Sequence, residues 1–334
     1  MPFDNFHRGY EHYQQHEYTQ AVACFMQGLH NDWNCILWLG HCYEHGYGIE
    51  QDLSMAKDLL LSCRDDFGTS LQKKEAPYYP RLCQRIDALQ HVPDYLSLTR
   101  HIEGIGNVRV VKSPYKYEET RMRCNQDEIV VTVGNNAPFL LGIHFVQQHV
   151  PQRLREWTCD GTCRYYDNYT LQTDYFLLQV QRGTTDKYVS YIDGKRCQLF
   201  FPKNACLDYL YVQKYIHRKV KDLLFQRAKQ VLPGVLQRVS ERIHVPYKEC
   251  EIVKSLQSYA AWNYSHGKKI ALSTTCVQLP KESLEALCIH ELTHNFVGGH
   301  GVEFYLKLIE LGGEEAYQLD KNIWKEGKWP YLQI

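Results

Sequence analysis

The stretch KESLEALCIHELTHNFVGGH, residues 281–300, decides how the second half of the chain is expected to fold. Its apolar residues recur at mostly helical spacing and Gly298-Gly299 ends the pattern, so we predict a helix here. His290 and His294 are four residues apart, and residues with this spacing lie on one face of a helix. Both imidazoles can therefore reach a single metal ion.

Glu291 is the candidate catalytic residue of this helix, because it lies one step round from the two histidines and close to the ion without binding it. Zinc with three protein ligands keeps an open position for water and lowers the pKa of that water towards about 7. Glu291 is expected to take the proton of this water and later to pass it to a leaving amine. The motif therefore predicts a hydrolase with Zn²⁺ as its cofactor.

The third ligand is predicted to be His300, because Gly298 and Gly299 let the chain turn back to the metal. A downstream glutamate, as in a thermolysin-like site, is the alternative, and four are available: Glu303, Glu310, Glu314 and Glu315. The spacing of the histidines equals that of the metzincins, yet Val297 stands in place of their turn glycine. All 4 methionines precede the motif, so a Met-turn cannot follow it and the metzincins are excluded.

Composition narrows the class of protein. With 334 residues, the chain is long enough for two domains. Lys plus Arg equals Asp plus Glu at 38 each, so no overall charge favours nucleic acid or an anionic membrane. The 13 cysteines are odd in number and scattered, and neither a secretory signal nor a membrane-length apolar run is visible. A reduced, cytoplasmic protein without a membrane segment is expected.

Residues 1–98 are interpreted as a helical repeat domain, because the pattern of residues 10–29 returns in residues 39–60. The second copy resembles a Sel1-like repeat, a relative of the tetratricopeptide repeat, at Leu39, Gly40, Tyr43, Gly46, Gly48, Ile49, Asp52 and Ala56. Gly46 and Gly48 are expected to take the positive φ of the turn between two helices. The resemblance implies a binding surface, so a protein partner of these repeats is expected.

Strand-like segments alternate with helices beyond residue 100, which predicts an α+β fold. The strands are predicted at residues 107–111, 128–133, 174–181, 187–193 and 197–201. Asn136 and Asn204 follow two of them, and because asparagine is a good N-cap, two successive β-hairpin plus helix units are predicted.

Helices and a bent pair of strands fill the remainder. A helical pair from about residue 207 to 243 is expected to break at Pro233-Gly234. From residue 247 the pattern is strand, bend, strand and motif helix, followed by a closing helix that stops at Gly312-Gly313. Residues 247–312 are thus the predicted core of the active site.

Residues from about 105 to 334 resemble the YgjP-like family of zinc metallopeptidases, which is related to the SprT-like and WLM peptidases. The resemblance rests on the order of these elements and on the pattern HELxHxxxxxHxxxFW, matched by His290, Glu291, Leu292, His294, His300 and Phe304, with Tyr305 for the usual Trp. It implies that residues 99–334 form a zincin-like domain with three histidine ligands and Glu291 as general base. The family's bend reads WGSC, whereas residues 262–265 read WNYS, so this bend is bulkier.

Three aromatic residues are candidates for substrate or oxyanion contacts. These are Trp262, Tyr264 and Tyr305, since a tyrosine hydroxyl can donate to a developing oxyanion. A place in the core is the simpler interpretation for either tyrosine.

A basic helix face is the candidate surface for an acidic partner or nucleic acid. It includes Lys214, Arg218 and Lys221, and the resemblance adds weight because related peptidases act on DNA-bound proteins. A solvated amphipathic face is the simpler interpretation. His41 and His45 share another helix face and are interpreted as solvated surface residues.

The function predicted from these observations is a zinc-dependent metallopeptidase whose helical repeats bind a partner or substrate. Its substrate is expected to be a protein or peptide. Two alternatives stay open. Zinc-activated water can also attack a phosphoanhydride, which would make the chain a nucleotide hydrolase. The metal could instead only tie helices together in a scaffold protein, although closed structural sites use four protein ligands.

Overall fold

The chain has a mixed α+β fold. A computed structural model describes residues 4–30, 32–67, 79–115, 119–159, 165–254, 261–264 and 269–325. It divides into two compact units, Met1–Leu154 with Tyr209–Tyr211, and Arg155–Asp208 with Val212–Ile334. The first unit holds both the N-terminal helices and a sheet. The domain boundary after residue 98 stays a prediction.

The first unit begins with helices that pack in consecutive pairs, α1 with α2 and α3 with α4, which is consistent with a repeat. The helices are α1 (Asp4–Gln14), α2 (Tyr18–Gln27), α3 (Trp33–His45), α4 (Leu53–Phe67) and α5 (Tyr79–Ala88). Gly46 and Gly48 have φ values of 75° and 70°, which confirms the predicted turn between α3 and α4. Phe25, Leu39 and Leu60 are fully buried and form part of the core of the helices.

A four-stranded sheet follows in the same unit. Its strands are β1 (Leu98–Ile102), β2 (Gly106–Lys112), β3 (Arg121–Cys124) and β4 (Ile129–Val133), in the order β1-β2-β4-β3. The inner strands β2 and β4 run parallel, and each outer strand is antiparallel to its neighbour. The buried valines of β2 and β4 face the core, and helix α6 (Phe139–Cys159) follows.

The second unit contains a sheet of the same topology. Its strands are β5 (Tyr169–Gln172), β6 (Leu177–Arg182), β7 (Val189–Asp193) and β8 (Arg196–Phe201), in the order β5-β6-β8-β7. Again the inner pair, β6 with β8, is parallel and the outer pairs are antiparallel. The predicted strands lie at β2, β4, β6, β7 and β8. In these two sheets the unpredicted strands are β1, β3 and β5, which are short and largely exposed, so their sequences lack a hydrophobic pattern.

The asparagine caps predicted for the helices after the sheets were wrong. Helix α6 begins at Phe139, and its first amide donates to Asp58 Oδ2 at 2.8 Å, so the cap comes from helix α4. Helix α7 (Leu210–Ile243) begins six residues after Asn204. A side chain distant in sequence can cap a helix as well as a local one, and local sequence does not reveal it.

The predicted break of the long helix was also wrong. Helix α7 is continuous over 34 residues and contains Pro233. Proline removes one backbone hydrogen bond. Leu232, Val235 and Leu236 on either side of it are buried, so their packing stabilises the helix through this position.

The last part of the second unit holds a three-stranded sheet and two helices. The strands are β9 (Cys250–Val253), β10 (Ala261–Tyr264) and β11 (Lys269–Ser273), in the order β10-β11-β9. A 3-10 turn at Thr274–Gln278 leads to helix α8 (Lys281–Thr293). Helix α9 (Val302–Lys325) is kinked at Gly313, where φ is 80° and ψ is 171°. The helix predicted to stop at Gly312-Gly313 therefore continues beyond the kink to Lys325.

Within the described ranges, none of the helices combines the length and the apolar composition that crossing a bilayer requires.

Candidate metal centre

Helix α8 places His290 and Glu291 in the interior of the second unit. Each residue is 3% exposed, and Leu284, Leu287 and Leu292 of the same helix are also buried. The helix ends at Thr293, whose hydroxyl donates to the Ile289 carbonyl, and His294 is the next residue. The chain then turns and reaches His300 just before α9 begins.

The three predicted ligand histidines lie together. One ring nitrogen of each of His290, His294 and His300 lies within 4.8 Å of those of the other two. His290 Nε2 and His300 Nε2 are 3.1 Å apart, close to the separation of about 3.3 Å between two ligand nitrogens of tetrahedral zinc. Among the described residues, the alternative glutamate ligands do not belong to this group. All four of these glutamates are exposed.

Asp320 contacts the far side of the His290 ring, and sequence reasoning missed it. Its Oδ1 lies 2.9 Å from His290 Nδ1, and the two side chains are 1% and 4% exposed. A carboxylate next to Nδ1 orients the ring so that Nε2 is the nitrogen that can bind a metal ion. Asp320 lies beyond the Gly313 kink of α9, where only a continued helical pattern could have drawn attention to it.

His294 also has an oxygen atom next to its Nδ1. Its Nδ1 lies 2.9 Å from the Val297 carbonyl oxygen, which can only accept, so the proton is on Nδ1 and the lone pair is on Nε2. Burial lowers the pKa of His294, and the neighbouring His290 and His300 lower it further. The pKa of His300 is lowered by burial and by His290. A lowered pKa favours the neutral form of both rings, which is the form that binds a metal ion.

The donor set consequently fits a divalent ion of the zinc type. It offers three imidazoles. The second ring nitrogen of His294 lies 2.9 Å from a carbonyl oxygen, and that of His290 lies 2.9 Å from a carboxylate oxygen. A set of three protein ligands also leaves room for a water molecule or a substrate atom, as catalytic zinc sites do.

Glu291 is buried next to this group. Burial raises the pKa of its carboxyl to about 7, the nearby His290 opposes the rise and Asp320 adds to it. Asn263 of β10 donates through Nδ2 to the Glu291 carbonyl oxygen and to Asn295 Oδ1, the latter at 2.8 Å. Strand β10 is thus attached to the motif helix at the position of the candidate base. Sequence reasoning treated Asn263 only as a departure from the family's bend.

Phe304 forms an apolar floor under the histidines. Its ring is fully buried, and its centroid lies 4.7, 4.6 and 5.0 Å from those of His290, His294 and His300. Tyr305, the next residue, packs edge-on against Tyr317 at 5.4 Å. Its part in binding an oxyanion stays a prediction.

Exposed apolar side chains occur on the elements that carry the centre. Trp262 on β10 is 43% exposed and Phe296 is 55% exposed, and Val302 and Leu306 at the start of α9 are also exposed. The side chain of Tyr264 and the whole of Ser265 lie outside the described residues. A surface of this kind suits apolar parts of a ligand.

The predicted basic residues lie on helix α7. Lys214, Arg218 and Lys221 are spaced four and three residues apart, which places them along one face. The Arg218 guanidinium lies over the Tyr215 ring at 4.5 Å. The partner of this face stays a prediction.

Comparison with known proteins supports a metallopeptidase domain in this part of the chain. Residues 198–311, which include the three histidines and Glu291, match the family described as YgjP-like, metallopeptidase domain. The chain is also similar to the DNA-dependent metalloprotease WSS1 of Saccharomyces cerevisiae, with 41% identity over 64 residues. That match covers 18% of this chain and 24% of the relative, so the chain spans about a quarter of that protein's length. No solved structure matches the chain significantly.

Proposed function

We propose that the protein is a zinc-dependent metallopeptidase. His290, His294 and His300 are its metal ligands, and Glu291 is its general base. The observation that carries this proposal is the group of three imidazole nitrogens within 4.8 Å of one another, beside a buried glutamate, in a segment that matches a metallopeptidase domain. The comparisons support the class of enzyme, and the donor set supports zinc.

The chemistry divides between the ion and the chain. When bound, zinc supplies Lewis-acid polarisation of a water molecule and a carbonyl group. Glu291 then accepts a proton from the attacking water and donates it to the leaving amine. Its buried position suits both steps, because a carboxyl whose pKa lies near 7 can hold and release a proton. Asp320 and the Val297 carbonyl keep His290 and His294 oriented during this exchange.

The substrate is proposed to bind along strand β10. Within the described residues, β10 pairs with β11 on one side, so its other edge is available for an extended peptide. The link from Asn263 to the Glu291 carbonyl fixes this edge relative to the base. Trp262 and Phe296 would contact apolar side chains of the peptide.

A DNA-associated substrate is the second candidate. Two observations favour it, the similarity to a relative named as DNA-dependent and the basic face of Lys214, Arg218 and Lys221 on α7. Lysines and arginines on one helix face attract phosphates without reading sequence. In this version, DNA brings the enzyme and a DNA-bound protein together.

The N-terminal helices are proposed to be Sel1-like repeats that bind a protein partner or the substrate. Their consecutive pairing is consistent with this proposal. A reducing compartment such as the cytoplasm is proposed as well, because the 13 cysteines are odd in number and scattered along the chain.

The test measures hydrolysis by the purified full chain with zinc. Casein, a mixture of peptides and nucleoside triphosphates are offered in parallel, each with and without single-stranded and double-stranded DNA. Glu291→Gln is expected to keep its zinc and to lose cleavage by at least about a hundredfold, because a general base contributes that much. Glu282→Gln, on the exposed first turn of the same helix, is the matched control and should cleave normally.

The outcomes separate the possibilities. Cleavage of triphosphates instead of peptides would replace the peptidase by a nucleotide hydrolase. Bound zinc with no hydrolysis of any substrate would favour the scaffold. Protein cleavage that rises with DNA, and falls when Lys214, Arg218 and Lys221 are changed to glutamine, would support the DNA-associated form.

A further inference from the structure

A second group of side chains of the kinds that bind metal ions lies at the end of helix α3, in the first compact unit. Ligand atoms of His41, Glu44 and His45 all lie within 4.8 Å of one another. His41 and His45 are one helical turn apart, and their ring centroids are 4.3 Å apart. Glu44 is three residues from His41 and belongs to the same turn. All three side chains belong to this one unit, separate from the unit of the candidate metal centre.

The contacts of these histidines are compatible with metal binding through the other ring nitrogen of each. His45 Nδ1 lies 3.1 Å from the His41 carbonyl oxygen, which only accepts, so His45 carries its lone pair on Nε2. His41 Nε2 lies 3.0 Å from the Tyr13 hydroxyl, an oxygen that can accept from it and leave a lone pair on Nδ1. A ligand histidine usually donates its other ring nitrogen in this way.

Neighbouring aromatic rings hold both imidazoles in position. The His45 ring is stacked on Tyr47 with an angle of 8° between the planes. The His41 ring stands edge-on to Trp38 at 5.5 Å. Little side-chain entropy would therefore be lost when a metal ion binds.

The end of the helix adds a favourable field for a cation. The aligned peptide dipoles of a helix give its C-terminus a partial negative charge. Helix α3 ends at His45, and Gly46 follows it in the left-handed conformation. An ion held by the last turn would lie at this negative end.

Arg85 is the competitor for the carboxylate. It donates to Glu44 Oε2 through Nε at 3.0 Å and through Nη2 at 2.5 Å. A carboxylate has a second oxygen, so Glu44 can contact an ion while it keeps Arg85. The positive charge of Arg85 still weakens the binding of any cation nearby.

We propose that His41, Glu44 and His45 form a second binding site for a divalent transition-metal ion of the zinc type, with water completing the coordination. Two imidazoles and one carboxylate are zinc ligands of the usual kind. The ion would stabilise the last turn of α3 and the turn at Gly46 and Gly48. This site is distinct from the proposed catalytic centre and does not depend on its activity.

Zinc stoichiometry tests the proposal. The metal-free full chain is dialysed against buffered Zn²⁺, and bound zinc is measured by elemental analysis. The wild type is expected to hold two ions per chain. His45→Ala and His294→Ala should each hold one, since each loses a different site. His91→Ala, which changes an exposed histidine outside both groups, should still hold two.

A second variant tests the same site in the opposite direction. Arg85→Gln removes the competing cation, so the weaker of the two zinc affinities should rise roughly fivefold in a calorimetric titration. One ion per wild-type chain that His45→Ala still holds, two ions in His45→Ala, or an unchanged affinity in Arg85→Gln would each overturn the proposal. None of these results depends on hydrolysis, so they leave the proposed peptidase function untouched.

Discussion

At the scale of single residues, the orientation of His290 depends on one buried carboxylate. Asp320 Oδ1 lies 2.9 Å from His290 Nδ1, whereas His290 Nε2 faces His300. Without this contact the ring could turn, and the proton could move to the nitrogen that should bind the metal. Asp320 is therefore a positioning residue.

We expect Asp320→Asn to weaken zinc binding by about ten- to a hundredfold, the usual effect of losing such a partner. The amide keeps the size of the carboxylate, so the packing of α9 should be preserved. Zinc affinity is measured by competition with a chelator, and the unfolding of the metal-free protein is measured beside it.

Asp222→Asn is the matched control, because Asp222 pairs with Lys254 at the surface and lies outside the metal centre. Equal zinc affinity in the wild type and Asp320→Asn would contradict the role assigned to Asp320. A loss of stability in the metal-free protein without a change in affinity would show a structural role only.

At the scale of elements, the turn between α3 and α4 requires glycine for a steric reason. A Cβ on Gly48 would lie 2.3 Å from the backbone of Tyr18, and its φ of 70° is itself unfavourable for other residues. Gly104 has a similar φ of 72°, but a Cβ there would meet nothing within 4 Å. The two glycines therefore separate the effect of φ from that of the clash.

Gly104→Ala is expected to lower the free energy of unfolding by about 1–2 kcal/mol, because alanine is strained in the left-handed conformation. Gly48→Ala should cost clearly more, because the backbone of Tyr18 must also move. Urea unfolding of both variants measures the difference. Similar losses in the two variants would mean that the turn relaxes freely around the new methyl group.

The start of helix α6 depends on a side chain from another element. Asp58 accepts the Phe139 amide through Oδ2 and pairs through Oδ1 with Lys112, whose Nζ is 2.6 Å away. We expect Asp58→Ala to destabilise the protein by roughly 1–2 kcal/mol, since it loses a helix cap. Asp94→Ala removes an exposed carboxylate from its pair with Lys57, which still donates to the Val92 carbonyl, and should cost less than about 1 kcal/mol. Urea unfolding ranks the two, and a reversed ranking would contradict the cap.

The same carboxylate predicts a pH dependence. Burial raises the pKa of Asp58 above its ordinary value of 3.8, although Lys112 opposes the rise. The folded protein then binds this proton more tightly than the unfolded chain does. Its contribution to stability is therefore present at low pH and is lost as the pH rises through the folded pKa.

Asp58→Asn cannot titrate, so its free energy of unfolding should fall less than that of the wild type between acid and neutral pH. Urea unfolding at a series of pH values provides the measurement. Parallel curves for the wild type and the variant would show that Asp58 has no raised pKa.

At the scale of the whole molecule, the two compact units should respond to zinc separately. Ligand binding to the native state stabilises it by about 2.7 kcal/mol when the free ligand is a hundred times its Kd. We expect zinc to slow amide exchange in α8 and α9 up to about a hundredfold, because these helices carry the ligands and Asp320. Exchange in α3 should slow as well if the second site binds.

Strands β1 to β4 contain none of the proposed ligands and provide the internal control. Their exchange should not change when zinc is added. Protection spread evenly over the chain would contradict two separate sites. Protection in α8 and α9 that persists in His294→Ala would contradict the proposed ligand set.

The sequence by itself determined the local part of the candidate site. The spacing of His290 and His294, with Glu291 between them, needs only the repeat of a helix, and the glycines before His300 allow the turn that follows. The same reasoning predicted the inner strands of both sheets, because their alternating or continuous apolar residues are buried. It also predicted the positive φ of Gly46 and Gly48, which is a local property of glycine.

The tertiary structure alone decided which distant residues meet. Asp320 reaches His290 from beyond a kink, Asn263 reaches Glu291 from another strand, and Asp58 caps a helix that begins 81 residues later. Pro233 stays inside a helix because its neighbours are buried on both sides. The physical reason is common to all of these. Backbone geometry sets which residues of one element share a face, whereas contacts between elements depend on how the whole core packs, and no short stretch of sequence contains that information.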